Sequence, residues 1–192
     1  HAAEDVFNAA QLLGQDYVLV ATNPPFLGKR DQDEVLVRHL AEEFAEGNYD
    51  LATAFLLRCL RLVGPDGAVS LVLPRNWMTQ ASYKSLRKYL LSTHQIRLVS
   101  RLGERAFSSP AAAGAFPALL IVEGARGQAE FAYIDAAGSS SAREIERDLL
   151  NAPIGTVDGA SALDTKEVLI SPGDVHEVTL AAFARPFQGI AT

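Results

Sequence analysis

The stretch Asp16-Tyr17-Val18-Leu19-Val20-Ala21-Thr22-Asn23-Pro24-Pro25-Phe26 constrains the fold more than any other part of this chain. Tyr17–Ala21 is apolar and rich in β-branched residues without alternation, the pattern of an interior strand of a largely parallel sheet, covered on both faces. Two consecutive prolines then end it, because neither carries a backbone N–H to give to a ladder. A polar amide precedes them and an aromatic ring follows. In open α/β sheets, ligands bind where such strands end.

The segments that follow alternate in the manner of an α/β fold. Val35, Leu36, Leu40 and Phe44 recur at helical spacing up to Gly47, and Leu51, Phe55, Leu56 and Leu60 repeat the pattern up to the turn signature Gly64-Pro65-Asp66-Gly67. Ala68–Pro74 reads as a second interior strand, and Ser82–His94 as a helix with Leu86, Leu90 and Leu91 inward and its basic residues outward. Ile96–Leu102 and Pro117–Gly124 read as two strands of an antiparallel pair at the sheet edge, joined by a loop long enough to imply a task of its own. Glu130–Asp135 adds a further strand and Ala142–Leu150 a short helix. The fold class expected is therefore α/β, an open and mostly parallel sheet with an antiparallel edge hairpin. Residues 1–150 are expected to form one domain; 151–192, where Gly, Pro, Ser and Asp interrupt short apolar runs, read as a linker and the start of another module.

Composition narrows the class further. A chain of 192 residues, close to half of them apolar, buries a core of useful size. The single Cys59 sits in an apolar helical pattern, so an inert buried thiol is expected, a disulfide framework is excluded, and a cytoplasmic setting suits the chain. No apolar stretch approaches the ~20 residues of a membrane-spanning helix. His39 and His94 lack carboxylate or Cys partners at ligand spacing, so no metal site is expected. The net charge is -6, but it is unevenly spread: Arg58 to Arg105 holds nine Lys/Arg against Asp66 and Glu104, making that stretch +7 and the remainder -13. A segregated basic face is what a phosphate backbone requires; a solvated helix surface is the alternative. Lys84, Arg87 and Lys88 are the residues of that face proposed for contact with DNA.

The chemistry open to Asn23-Pro24-Pro25-Phe26 follows from its acceptors. A planar exocyclic amine is a poor nucleophile because its lone pair is delocalised into the ring, and acceptors drawing on both N–H bonds restore it. The Asn23 side-chain oxygen supplies one acceptor and the Pro24 carbonyl the other, while Pro25 brings no competing N–H. Phe26 is suited to lie against a planar ring, and rigid acceptors aimed at one atom act by electrostatic preorganisation. A strand-ending turn initiated by Asn is the other reading of the same four residues.

Placed in order along the chain, "DYVLVATNPPF", "YDLATAFLLRCLRLVGPDG", "AVSLVLPRNWMT" and "RLGERAFSSPAAAGAFPALLIVEG" together resemble the amino-directed, S-adenosylmethionine-dependent DNA methyltransferases. The subgroup resembled is that of the adenine-N6 enzymes of restriction-modification and phage-defence systems. The match covers residues 16 to about 124. It implies a Rossmann-like sheet of which this chain carries the C-terminal half, with Asn23, Pro24, Pro25 and Phe26 as the catalytic motif. It implies Phe107 as the ring that stacks on a flipped adenine, with Phe116 as the fallback, and Trp77 as either a channel wall or an aromatic closing the sheet edge. "AEDVF" is similar to the segment that puts an acid beside the cofactor, so Asp5 joins Pro25 as cofactor-binding. S-adenosylmethionine is the cofactor implied, and double-stranded DNA and other subunits of a restriction or defence system the partners. The family's glycine-rich cofactor loop and ribose-binding acid precede the motif, and neither is found among the 22 residues before Asn23. The chain is therefore expected to be part of a longer protein, inactive by itself, whose target-recognition module begins near its end. Methyltransferases of protein glutamine or RNA guanine, and a noncatalytic α/β interaction domain, are the alternatives.

Overall fold

Four helices begin where a short polar side chain can cap them. In a computed structural model that describes residues 2–104, 106, 116–124, 130–139 and 141–172, Asp33 caps α2 (Glu34–Glu43), Asp50 caps α3 (Leu51–Leu60), Ser141 caps α5 (Ala142–Asn151) and Asp158 caps α6 (Gly159–Asp164). The remaining elements are α1 (Ala2–Leu13), β1 (Tyr17–Thr22), β2 (Val63–Pro74), α4 (Lys84–Thr93), β3 (Gln95–Leu102), β4 (Pro117–Glu123), β5 (Glu130–Ala136) and β6 (Gly155–Asp158).

The six strands form one sheet in the order β1-β2-β4-β3-β5-β6. β1 runs parallel to β2 and β3 parallel to β5, while β4 is antiparallel to both of its neighbours and β6 to β5. Four strands thus share one direction, and β3 with β4 makes the expected antiparallel hairpin. Its place differs from expectation: β4 is inserted between β2 and β3, so the hairpin lies inside the sheet and the edges fall to β1 and β6. β5 and β6 extend the sheet past the hairpin, which the spacing of apolar runs does not reveal. The turn signature Gly64-Pro65-Asp66-Gly67 is realised as an irregularity within β2, between the pairs Tyr17↔Val63 and Leu19↔Ala68. Gly67 is required there: a Cβ would meet the Tyr17 carbonyl at 2.7 Å.

One face of the sheet is the core. Val69, Leu71 and Leu73 of β2, Leu120 of β4, Val99 of β3 and Tyr133 of β5 pack there with Leu56, Leu57 and Leu60 of α3 and Leu86 and Leu90 of α4. α5 covers part of the other face through Ile145 and Leu149 against Leu102, Leu119 and Ala136. Cys59 is buried and unpaired, as its helical context suggests. Residues 155–170 do not form the expected linker. β6 pairs with β5, Val168 and Ile170 are buried, and the Ile170 N–H donates to the Met78 carbonyl at 3.0 Å. The module expected beyond them falls largely outside the described residues.

Two expectations are overturned by burial. β1 is not covered on both faces: Val18 is 83% and Leu19 59% exposed, and among the described residues β1 is an edge strand with β2 on one side only. Arg87 does not face outward. It is fully buried, its Nε and Nη2 donate to the Val168 and Glu167 carbonyls, and its Nη1 donates at 2.8 Å to both Trp77 and Gln80. Burial pushes its pKa down to about 10, with Glu167 opposing, so it stays charged at neutral pH. Those bonds hold Val168 at φ 52, a left-handed backbone that a β-branched residue avoids unless its surroundings impose it.

Replacing Arg87 by Leu should lower the unfolding free energy by about 3 kcal/mol or more, since four carbonyls lose a donor, two of those bonds being buried and two partly buried. Replacing the exposed Lys88 by Ala should change it by no more than about 0.5 kcal/mol. Urea unfolding read by the fluorescence of the buried Trp77 measures both.

Candidate active site

Asn23-Pro24-Pro25-Phe26 leaves the C-terminal end of β1, one residue past the pair Thr22↔Leu71. Pro24 is buried, Phe26 packs half-buried against the main core, and Asn23 and Pro25 are exposed. The motif is thus anchored by alternate residues, which leaves an amide and a backbone segment facing out. No hydrogen bond from a described residue reaches the Asn23 side chain, which is exposed, or the carbonyl of the buried Pro24.

Anchorage of the motif on its downstream side comes from the start of α3. The Leu51 N–H donates to the Leu27 carbonyl at 2.9 Å, the Lys29 N–H to the Tyr49 carbonyl at 2.9 Å, and Gly28 bridges to Asp50. Asp50, 6% exposed, accepts from the N–H of Ala52 at 2.9 Å and of Leu27 at 3.4 Å. One carboxylate therefore caps α3 and reaches the residue that follows Phe26. The Gln32 side-chain amide donates to the Leu27 carbonyl at 2.8 Å, a third tie on the same segment. Burial raises the Asp50 pKa against the lowering effect of its two backbone donors. Beside it, burial with help from Asp50 and Tyr49 pushes the Tyr83 phenol up to about 12, and the Tyr49 and Tyr83 rings lie 5.7 Å apart. Asp50 escaped the sequence reading, although an Asp directly before an apolar helical run is a capping signal.

The same end of the sheet carries a second group. Pro74 pairs with Pro117, which brings Arg75, just past β2, beside Phe116, just before β4. The Arg75 N–H donates to the Phe116 carbonyl at 2.7 Å and its guanidinium lies 4.4 Å from the Phe116 ring centre. Next along, Arg101 pairs with Asp135 at 2.6 Å. Burial raises the pKa of the Tyr133 phenol; Arg101 draws it down, Asp135 pushes it up, and Arg75 draws it down.

The other residues singled out in the sequence sort unequally. Phe107 lies outside the described residues, and Phe116 is the described aromatic at this end, 40% exposed. Trp77 lines no channel: it is fully buried in the core. Asp5 is exposed in the first turn of α1, whose tie to the sheet is the Tyr17 hydroxyl donating to the Leu12 carbonyl at 2.8 Å. Lys88 is exposed and Lys84 partly so, while Arg87 belongs to the core. A groove of about 450 Å³ between α2 and α3, with Leu36, Leu40, Phe44, Leu51 and Phe55 on its walls, includes no residue of the motif. Among the described residues no group of three His, Cys, Asp or Glu could hold a metal ion, and no helix is long and apolar enough to cross a membrane.

In open α/β sheets ligands bind beyond the carboxyl ends of the strands, where this motif lies, and comparison with known proteins narrows the class. Residues 3–107 match the model of the Eco57I restriction-modification methylases, and the chain belongs to that family. It is 31% identical over 98 residues to the adenine-specific methyltransferase BrxX of Escherichia coli O9:H4 (strain HS), a match covering 51% of this chain and 8% of the relative. It is 26% identical over 103 residues to the adenine-specific methyltransferase PglX of Lacticaseibacillus casei (strain Zhang), covering 54% of this chain and again 8% of the relative. The chain thus spans less than a tenth of these two relatives. The fold is similar to that of a nuclease-deletion mutant of the Type ISP restriction-modification enzyme LlaGI in complex with a DNA substrate mimic. The TM-score is 0.63 at 12% identity, over 88% of this chain and 19% of that one.

The cap at Asp50 can be tested by stability. Asp50→Ala should cost about 1–2 kcal/mol by uncapping α3. Asp50→Asn keeps an acceptor but no titration. Because the folded pKa is raised, the wild-type carboxyl favours folding most below its unfolded pKa, and that advantage is lost as pH rises through the folded pKa. The wild type should therefore gain on Asp50→Asn as pH is lowered from about 7 to about 3.5, in parallel urea titrations.

Proposed function

We propose that this chain is the part of an adenine-specific DNA methyltransferase that carries the catalytic loop, and that the whole protein methylates the N6 amino group of an adenine extruded from double-stranded DNA. The reading rests above all on one observation: within the segment matching the Eco57I methylases, Asn23 is exposed and, among the described residues, no donor reaches the Pro24 carbonyl, at the end of a parallel strand. The Asn23 Oδ1 and the Pro24 oxygen accept from the two hydrogens of the adenine amino group, which concentrates the nitrogen lone pair for attack. Phe26, fixed in the core on one side, limits how the base can tilt. Extrusion is needed because a paired base cannot reach such acceptors.

S-adenosylmethionine, when bound, supplies the electrophilic methyl group. Pro25 is exposed beside the acceptors, and the backbone there lacks an N–H, which suits close approach of an apolar, positively charged donor group. Asp5 is the residue of this chain assigned to the cofactor's adenine, and its exposed carboxylate is chemically fit for that amine. Lys84 and Lys88 are assigned to the DNA backbone. The names of BrxX and PglX support adenine as the target, and restriction or phage defence in the cytoplasm is the setting in which such a protein works.

Asn23→Ala in the intact protein should lower methyl transfer to DNA by about 10²–10³-fold or more while leaving S-adenosylmethionine affinity within a few fold. Transfer of labelled methyl to DNA, to protein and to RNA, measured side by side with calorimetry for the cofactor, checks the assignment. Incorporation into protein or RNA alone, or full activity of the variant, would overturn it.

A further inference from the structure

We propose that Arg75, held against the ring of Phe116, grips a backbone phosphate of the DNA beside the extruded nucleotide; this rests on the methyltransferase reading above. Most arginines of this region are already committed. Arg61 pairs with Glu43, Arg97 with Glu123 and Arg101 with Asp135, and Arg87 spends its donors on buried carbonyls. Arg75 differs: among the described residues no carboxylate or carbonyl accepts from its guanidinium. It is nonetheless held in place. Its own N–H is bonded to the Phe116 carbonyl at 2.7 Å and its guanidinium lies 4.4 Å from the centre of that ring.

That arrangement suits a phosphate. A guanidinium lying on an aromatic ring loses little of its donor capacity, because its N–H groups lie in its own plane and point past the ring edge as a fork. Two parallel N–H groups match two phosphate oxygens, and the ring removes much of the side-chain freedom that would otherwise oppose binding. Position completes the argument. β1 and β2 run parallel in register, Thr22 opposite Leu71, so Asn23 and Arg75 both leave their strands at the same end of the sheet. A base drawn to the Asn23 acceptors carries its sugar and phosphates with it, and Arg75 is the uncommitted described arginine at that end.

Salt-dependent binding tests this in the intact protein, with labelled duplex DNA bearing one mismatched adenine, which is easier to extrude. Arg75→Gln should weaken binding roughly tenfold at about 0.1 M salt and reduce the slope of log affinity against log salt by about 0.9, one phosphate contact fewer. Arg75→Lys should restore the slope but not all of the affinity, because an ammonium cannot bond bidentately. Phe116→Leu should leave the slope unchanged and weaken binding a few fold, since the charge remains but its orientation is lost. A purely structural Arg75 would not move the slope, so a wild-type slope in an Arg75→Gln protein that still binds DNA and methylates overturns this proposal alone. If the wild-type protein binds S-adenosylmethionine but no DNA, both the proposal and the DNA reading fall.

Discussion

A loop made of Asn-Pro-Pro-Phe cannot hold itself in place. Two of its four residues have no backbone N–H, so the usual route to a fixed loop, hydrogen bonds among its own peptide groups, is largely closed. The structure solves this from both sides. Upstream, β1 delivers the motif in register with β2, and downstream residues 27–29 are tied to residues 49–51 by the two backbone bonds that make the Gly28–Asp50 bridge and by the Asp50 carboxylate. The capping requirement of α3 and the anchoring of the motif therefore meet in one side chain. Charge at Asp50 is disfavoured by burial, so the site carries an electrostatic cost that its two N–H donors offset only in part.

The open edge of β1 belongs to the same logic. Among the described residues the outer edge of β1 is unpaired and its Val18 and Leu19 are exposed, and a bare apolar edge of this kind invites indiscriminate pairing. Val6, Phe7, Leu12 and Leu13 of α1 are exposed as well. These exposed apolar side chains all fall within the first 19 residues of the sequence.

How much of this the sequence shows depends on which physical signal carries each feature. The alternation of strands and helices was legible because burial imposes periodicity, and β2, α4, β3, β4, β5 and α5 all fall on the runs that periodicity marks. The motif was legible because prolines stop a strand wherever it lies. The edge position of β1 was not, because a continuous apolar run reports affinity for cover and says nothing of whether cover is present. Arg87 departs from expectation for a different reason: Lys84, Arg87 and Lys88 read together as a charged face. Yet Tyr83, Arg87 and Leu90 stand at i, i+4 and i+7, one stripe of a helix, and the flanking two are buried. Angular position outweighed charge, because four carbonyls were waiting inside to satisfy the guanidinium.

The basic surplus between Arg58 and Arg105 shows the same effect at larger scale. Nine basic residues suggest a broad face for a polyanion, but folding redistributes them. Arg87 is spent in the core, and Arg61, Arg97 and Arg101 are each neutralised by a carboxylate drawn from elsewhere in the chain. Arg58 lines the groove between α2 and α3, which includes no residue of the motif, and Arg105 lies outside the described residues. Arg75, Lys84 and Lys88 remain, and of these Arg75 is fixed by an aromatic ring at the end of the sheet where Asn23 emerges. A sum over sequence overstates the free positive charge, because each ion pair offsets a basic residue that the sum counts, and salt screens exposed charges more than about 10 Å apart. For the phosphate contact proposed above, a guanidinium held against a ring has less side-chain freedom to lose on binding than an exposed lysine.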